Sequence, residues 1–105
     1  MEEIRTKSKF NELIDSEEKS VIKFETDWCP DCRRLDMFIG DIMQEHNDKQ
    51  WHQIDKDAFP ELAEKYEVMG IPSLLVFKNG EKIGHLHSAN AKTPESVREF
   101  LSSLK

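Results

Sequence analysis

The chain holds two cysteines, and two residues separate them in Trp28-Cys29-Pro30-Asp31-Cys32. The flanking residues constrain what can form around them. Ser20-Val21-Ile22-Lys23-Phe24-Glu25 gathers β-branched and aromatic residues into a short run and reads as a strand. Leu35, Phe38, Ile39, Ile42 and Met43 recur at the spacing of one face of an amphipathic helix. The pair therefore falls where a strand hands over to a helix. Asp27 or Cys29 supplies the helix cap, and Pro30 fits the first turn, where a missing N–H leaves nothing unpaired.

If Cys32 continues the helix that Cys29 begins, their sulfurs lie about one turn apart, within reach of a reversible disulfide. A helix N-terminus offers free N–H groups and a partial positive charge, and both favour a thiolate. Cys29 is then the expected nucleophile, and Cys32, one turn inside, the expected resolving thiol. A purely structural disulfide here would close too short a loop to constrain the unfolded chain much.

A length of 105 residues suits one domain, 1–105, around one core. The 15 Lys and Arg against 21 Asp and Glu give a net charge of −6 without a basic cluster. Nucleic acid and anionic membrane surfaces are thus poor partners. Met1-Glu2-Glu3-Ile4-Arg5 has no apolar signal region, and no stretch has the length of a membrane span. The expectation is a cytoplasmic monomer that needs no metal and no cofactor.

In chain order, the pattern predicts a helix from near Thr6 or Ser8 to Asp15 with Phe10, Leu13 and Ile14 buried. A single isoleucine leaves a strand at Glu3-Ile4-Arg5 undecided. The helix from Pro30 should reach about His46, with Gly40 inside it marking close packing or a bend. Gln50 to Asp55 reads as a strand, and a helix follows Phe59-Pro60 with Leu62, Ala63 and Tyr66 as its apolar face. Ser73 to Lys78 is a strand buried on both faces, Asn79-Gly80 a hairpin turn, and Glu81 to His87 the returning strand. Thr93 caps a last helix that Pro94 begins and that buries Val97, Phe100, Leu101 and Leu104. Strands joined through helices are expected as parallel neighbours, giving an α/β fold with helices on both faces of a mixed sheet.

Trp28-Cys29-x-x-Cys32, then Gly70-Ile71-Pro72, then Phe77-Lys78-Asn79-Gly80 together resemble the thioredoxin family over nearly the whole chain. The resemblance implies a thioredoxin fold, with a mixed central sheet of about four or five strands. It implies a thiol–disulfide oxidoreductase in which Cys29 attacks and Cys32 resolves. Trp28 would shield the pair, Pro72 would be a cis-proline facing the sulfurs, and Gly70 and Ile71 would present backbone to an extended substrate. Partners would be disulfide-containing proteins or small disulfides, and a reductase of the thioredoxin-reductase type or a thiol that recycles the pair.

Departures from the family pattern narrow this reading. Pro30-Asp31 replaces the usual Gly-Pro, as in related proteins with Trp-Cys-Pro-Asp-Cys that reduce a narrower substrate set. Lys23 stands where a buried aspartate is usual, Trp51 where its companion lysine is, Met37 near a missing kink proline, and Ser88 where a glycine is. A carboxylate at Asp31 favours the helix but opposes a thiolate on Cys29.

Lys23 alternates with Val21 and Glu25 on one strand face. Its ammonium either snorkels out past the helices, finds a carboxylate, or lies beneath Cys32 and assists that thiol's proton. Two rival functions complete the reading. Cys29, Cys32, His85 and His87 could form a zinc shell, although the hairpin strand lies far from the cysteine turn. A non-catalytic adaptor could keep the fold and bind partners in the groove near Pro72.

Overall fold

The computed structural model describes residues 1–104. Its elements are β1 (Glu2–Ile4), α1 (Lys7–Ile14), β2 (Ser20–Glu25), α2 (Pro30–Glu45), β3 (Gln50–Asp55), α3 (Pro60–Lys65), β4 (Ser73–Lys78), β5 (Glu81–Leu86) and α4 (Pro94–Ser102). A 3-10 turn at Ser88–Asn90, which the sequence pattern does not announce, precedes α4. Local chemistry accounts for most boundaries. Thr6 caps α1 by accepting the N–H of Lys9 at 3.1 Å, and Thr93 caps α4 by accepting that of Ser96 at 3.2 Å. Asn79 and Gly80 both have positive φ, 53° and 82°, as a tight hairpin turn requires. Their N–H groups bond Ser16 O and Ile14 O, so the turn docks on the end of α1.

The strands form one sheet in the order β1-β3-β2-β4-β5. Here one expectation needs correction. Only β2 and β3 are parallel neighbours joined through a helix. β1 runs parallel to β3, which separates it from β2, and β4 runs antiparallel to β2. The six residues of α3 rise only about 9 Å, against roughly 20 Å for a six-residue strand. That helix does not return the chain to the far edge. The segment through Glu67, at φ 61°, and Gly70-Ile71-Pro72 feeds it into β4 at the end where β3 leaves.

Two apolar layers sandwich the sheet. Phe10, Leu13 and Ile14 of α1 and Leu62 and Ala63 of α3 pack on Ile22, Phe24, Ile54, Leu75 and Phe77. Leu35, Ile39 and Ile42 of α2 and Val97 and Leu101 of α4 cover Val21, Trp51, Leu74 and Val76 on the other face. Each such side chain contributes about 1.5–3 kcal/mol by leaving water. Trp51 is thus a packing residue, and its indole N–H donates to His46 O at 3.0 Å. β1 forms because Ile4 pairs with Ile54 and is wholly buried there, a long-range gain with no local signature. The expected close packing at Gly40 is not present: a Cβ there would meet nothing within 4 Å.

β5 forms the outer edge beside β4. His85 and His87 stack on it with ring centroids 3.8 Å apart, and Lys82 Nζ lies 3.0 Å from His85 Nδ1. Burial, and then the neighbouring His87 and Lys82 charges, lower the His85 pKa to about 4. An unfolded chain takes up this proton near pH 6.5 while the folded chain refuses it until about pH 4. Stability from this source is complete above the unfolded value and is lost as pH falls toward the folded one. The stability gap between wild type and His85→Gln should therefore move in the variant's favour between pH 7 and pH 4.5, as read by urea unfolding at each pH. A gap independent of pH would contradict this.

Candidate active site

β2 delivers the chain to one end of the sheet, and α2 carries it away. Cys29 is the N-cap of α2, in extended backbone at φ −88° and ψ 109°, and its Sγ accepts the N–H of Cys32 at 3.0 Å. Of the two caps the sequence allows, Cys29 fills the place, and Pro30 follows as the first helical residue. Cys29 and Cys32 are joined in a disulfide with their Cα atoms 5.2 Å apart. Cys29 is 4% exposed and Cys32 is 0% exposed, so the first cysteine is the one nearer solvent. Trp28 is 69% exposed and tethered, its indole N–H donating to the Asp57 carboxylate at 3.1 Å.

Gly70-Ile71-Pro72 arrives at the same end, because β4 lies beside β2 and starts with Ser73 opposite Phe24. The Ile71–Pro72 bond is cis. Ser73 Oγ donates to Gly70 O at 2.6 Å, fastening the loop to the strand. A Cβ on Gly70 would overlap the Ser88 hydroxyl, so this loop lies against the 3-10 turn. Asp31, in the first turn of α2, is held from two sides: Arg34 Nη1 donates to one oxygen at 3.0 Å and Lys92 Nζ to the other at 3.2 Å.

Lys23 is completely buried, which removes the reading in which its amine snorkels into water. Two carboxylates meet it instead. Its Nζ lies 2.5 Å from Glu25 Oε1 and 2.5 Å from Asp36 Oδ1. Arg33 Nη2 binds the same Glu25 oxygen at 2.5 Å, and its Nε faces Asp36 Oδ2 at 3.5 Å. Two cations and two anions thus close a compensated cluster between β2 and α2. Asp36 follows Cys32 by four residues, so the cluster occupies the helix face one turn below the inner cysteine.

Sequence reasoning missed Glu25, Arg33, Asp36, Asp57 and Lys92. Two of them leave a signal: Glu25 shares Lys23's strand face, and Asp36 shares Cys32's helix face. The pairing of Asp31 with Lys92 spans 61 residues and leaves none. His85 and His87 stack on each other at β5, and among the described residues no three His, Cys, Asp or Glu side chains converge as a metal shell. No helix among those residues is long and apolar enough to cross a membrane.

A cysteine pair at a strand-to-helix junction thus shares one end of the sheet with a cis-proline loop, an arrangement that can carry out thiol–disulfide exchange. The family model described as Thioredoxin matches residues 2–103, and the chain belongs to that family. It is 36% identical over 84 residues to glutaredoxin 3 of Danio rerio, covering 78% of this chain and 26% of that protein. The chain spans only 26–31% of the glutaredoxin-3 proteins that it matches. It is 29% identical over 104 residues to thioredoxin of Oryctolagus cuniculus, covering 96% of this chain and 99% of that protein. Mitochondrial thioredoxin 3 of Saccharomyces cerevisiae, in oxidised form, superposes with a TM-score of 0.85 at 25% identity, covering 99% and 95% of the two chains.

The buried cluster has a measurable signature. Glu25 meets both cations at 2.5 Å, whereas Asp36 holds Arg33 only at 3.5 Å, so Glu25→Gln should cost about 2–3 kcal/mol, less than a fully orphaned charge because Asp36 still faces Lys23. Arg33 is half-exposed, and Arg33→Gln should cost under about 1 kcal/mol. Chemical denaturation showing the two substitutions equally costly would mean that water already screens the cluster.

Proposed function

We propose that this domain reduces disulfides of protein substrates through Cys29 and Cys32. The Cys29 thiolate attacks one sulfur of the substrate disulfide, forming a mixed disulfide and releasing the other substrate sulfur as a thiolate that takes up a proton. Cys32, once deprotonated, attacks the Cys29 sulfur and releases the second substrate thiolate. The substrate gains two electrons, and the protein ends as the Cys29–Cys32 disulfide. A reductase of the thioredoxin-reductase type, or a small dithiol, supplies two electrons to restart the cycle. The position of Cys29 carries this reading: it caps a 16-residue helix, where free N–H groups favour its thiolate, while Cys32 is sealed one turn inside.

The Gly70-Ile71-Pro72 loop is the proposed docking site for an extended substrate segment, with exposed Met69 adjoining it and exposed Trp28 on the cysteine turn. An open rim of this kind fits a polypeptide better than a small enclosed ligand. The Lys23 cluster is proposed to steady the charge around Cys32 during the second step. A domain that spends its dithiol on reduction belongs in a reducing compartment, and we place it in the cytoplasm.

Insulin with dithiothreitol tests the reading. The wild type should accelerate precipitation of the reduced chains, and Cys29→Ser should not. Cys32→Ser should accumulate stable mixed disulfides, visible as adducts by intact-mass spectrometry. A wild type with no effect on the rate, and a Cys32→Ser protein that traps nothing, would instead favour a binding adaptor.

A further inference from the structure

The bridge between Asp31 and Lys92 joins the reactive turn to a distant part of the chain. Lys92 lies between two fixed points. Ala91, 2% exposed, is anchored in the layer beneath α2 and α4, and Thr93 is the cap of α4. Its backbone is therefore held, and its side chain reaches across to the first turn of α2. There its ammonium and the Arg34 guanidinium take one oxygen each of the Asp31 carboxylate.

That carboxylate stands between the two cysteines in sequence. A negative charge at this point opposes a thiolate on Cys29. The other charged groups around the pair are Asp27 on its own turn, Arg33 and Arg34 on α2, Asp57 at Trp28, and the Lys23–Glu25–Asp36 cluster beneath. The loop from Met69 to Ser73 carries no charge. Arg33 is committed to Glu25 and Arg34 to Asp31, which leaves Lys92 as the cation that a separate segment adds to the turn.

We infer that Lys92 is a positioning residue for the redox reaction: it fixes and offsets the Asp31 carboxylate, so that Cys29 keeps its thiolate beside a negative side chain. This rests on the assignment of Cys29 as the attacking thiol. Lys92 touches neither sulfur and acts through Asp31.

The test measures the pH dependence of Cys29 alkylation by iodoacetamide in reduced protein, at low salt and at about 1 M salt, where exposed pairs are screened. Lys92→Met should shift the Cys29 profile upward, making alkylation about two- to threefold slower at pH 6 and low salt, the size expected of a half-exposed ion pair. Lys92→Arg should restore the wild-type profile, and high salt should erase the difference. Asp31→Asn should move the profile downward, and in that background Lys92→Met should have a smaller effect. Thermal melts report any general loss of structure, which salt and the arginine variant would not selectively repair. An unchanged profile for Lys92→Met, or an equal shift with and without Asp31→Asn, overturns the inference. Insulin reduction by the wild type separates its failure from failure of the oxidoreductase reading.

Discussion

One sulfur has two structural obligations. Cys29 Sγ caps α2 by accepting the Cys32 N–H, and it belongs to the cysteine nearer solvent. The helix start, the strand that precedes it and the loop that faces it follow from holding that atom in place. β2 fixes where the turn begins, Pro30 fixes the entry of α2, and the pairing of β4 with β2 brings Pro72 to the same end of the sheet. A helix that began one residue earlier or later would aim a different side chain at the free N–H groups.

The layer below solves a harder problem. β2 is buried at all six positions, yet it carries Lys23 and Glu25 on its α2 face. An unpaired charge there would be costly, and the chain offsets it by drawing Asp36 and Arg33 from α2 into one cluster. The compensation uses two residues from one turn of α2, so it also fixes the rotation of that helix on the sheet. Rotation of α2 would move Cys32 and break the ion pairs together. In this protein the electrostatics of the core and the placement of the inner thiol are therefore one constraint.

Much of this is legible in the residues. β2, β3 and β4 begin and end where the pattern places them, because apolar runs bounded by polar turns carry their own signal. The Asn79-Gly80 turn and the Thr93-Pro94 start of α4 are local chemistry, and local chemistry is readable. What escaped depends on distance along the chain. β1 exists through its pairing with β3, and β4 runs antiparallel to β2 because α3 is too short to return the chain. The contacts of Asp31 with Lys92 and of Asp57 with Trp28 span 61 and 29 residues, and no window of sequence joins them. The Lys23 cluster lies between these cases: strand and helix periodicity place its members on facing sides, but only the fold brings them within contact.

Attack by Cys29 requires that its thiol be the one ionised and reachable in the reduced protein. A brief pulse of iodoacetamide at pH 7, followed by denaturation, a second label and peptide mass spectrometry, measures this directly. Cys29 should carry the first label several-fold more than Cys32, as its place at the helix terminus requires. Cys32 labelled first, or the two labelled equally, would contradict the claim that the helix start makes Cys29 the attacking sulfur.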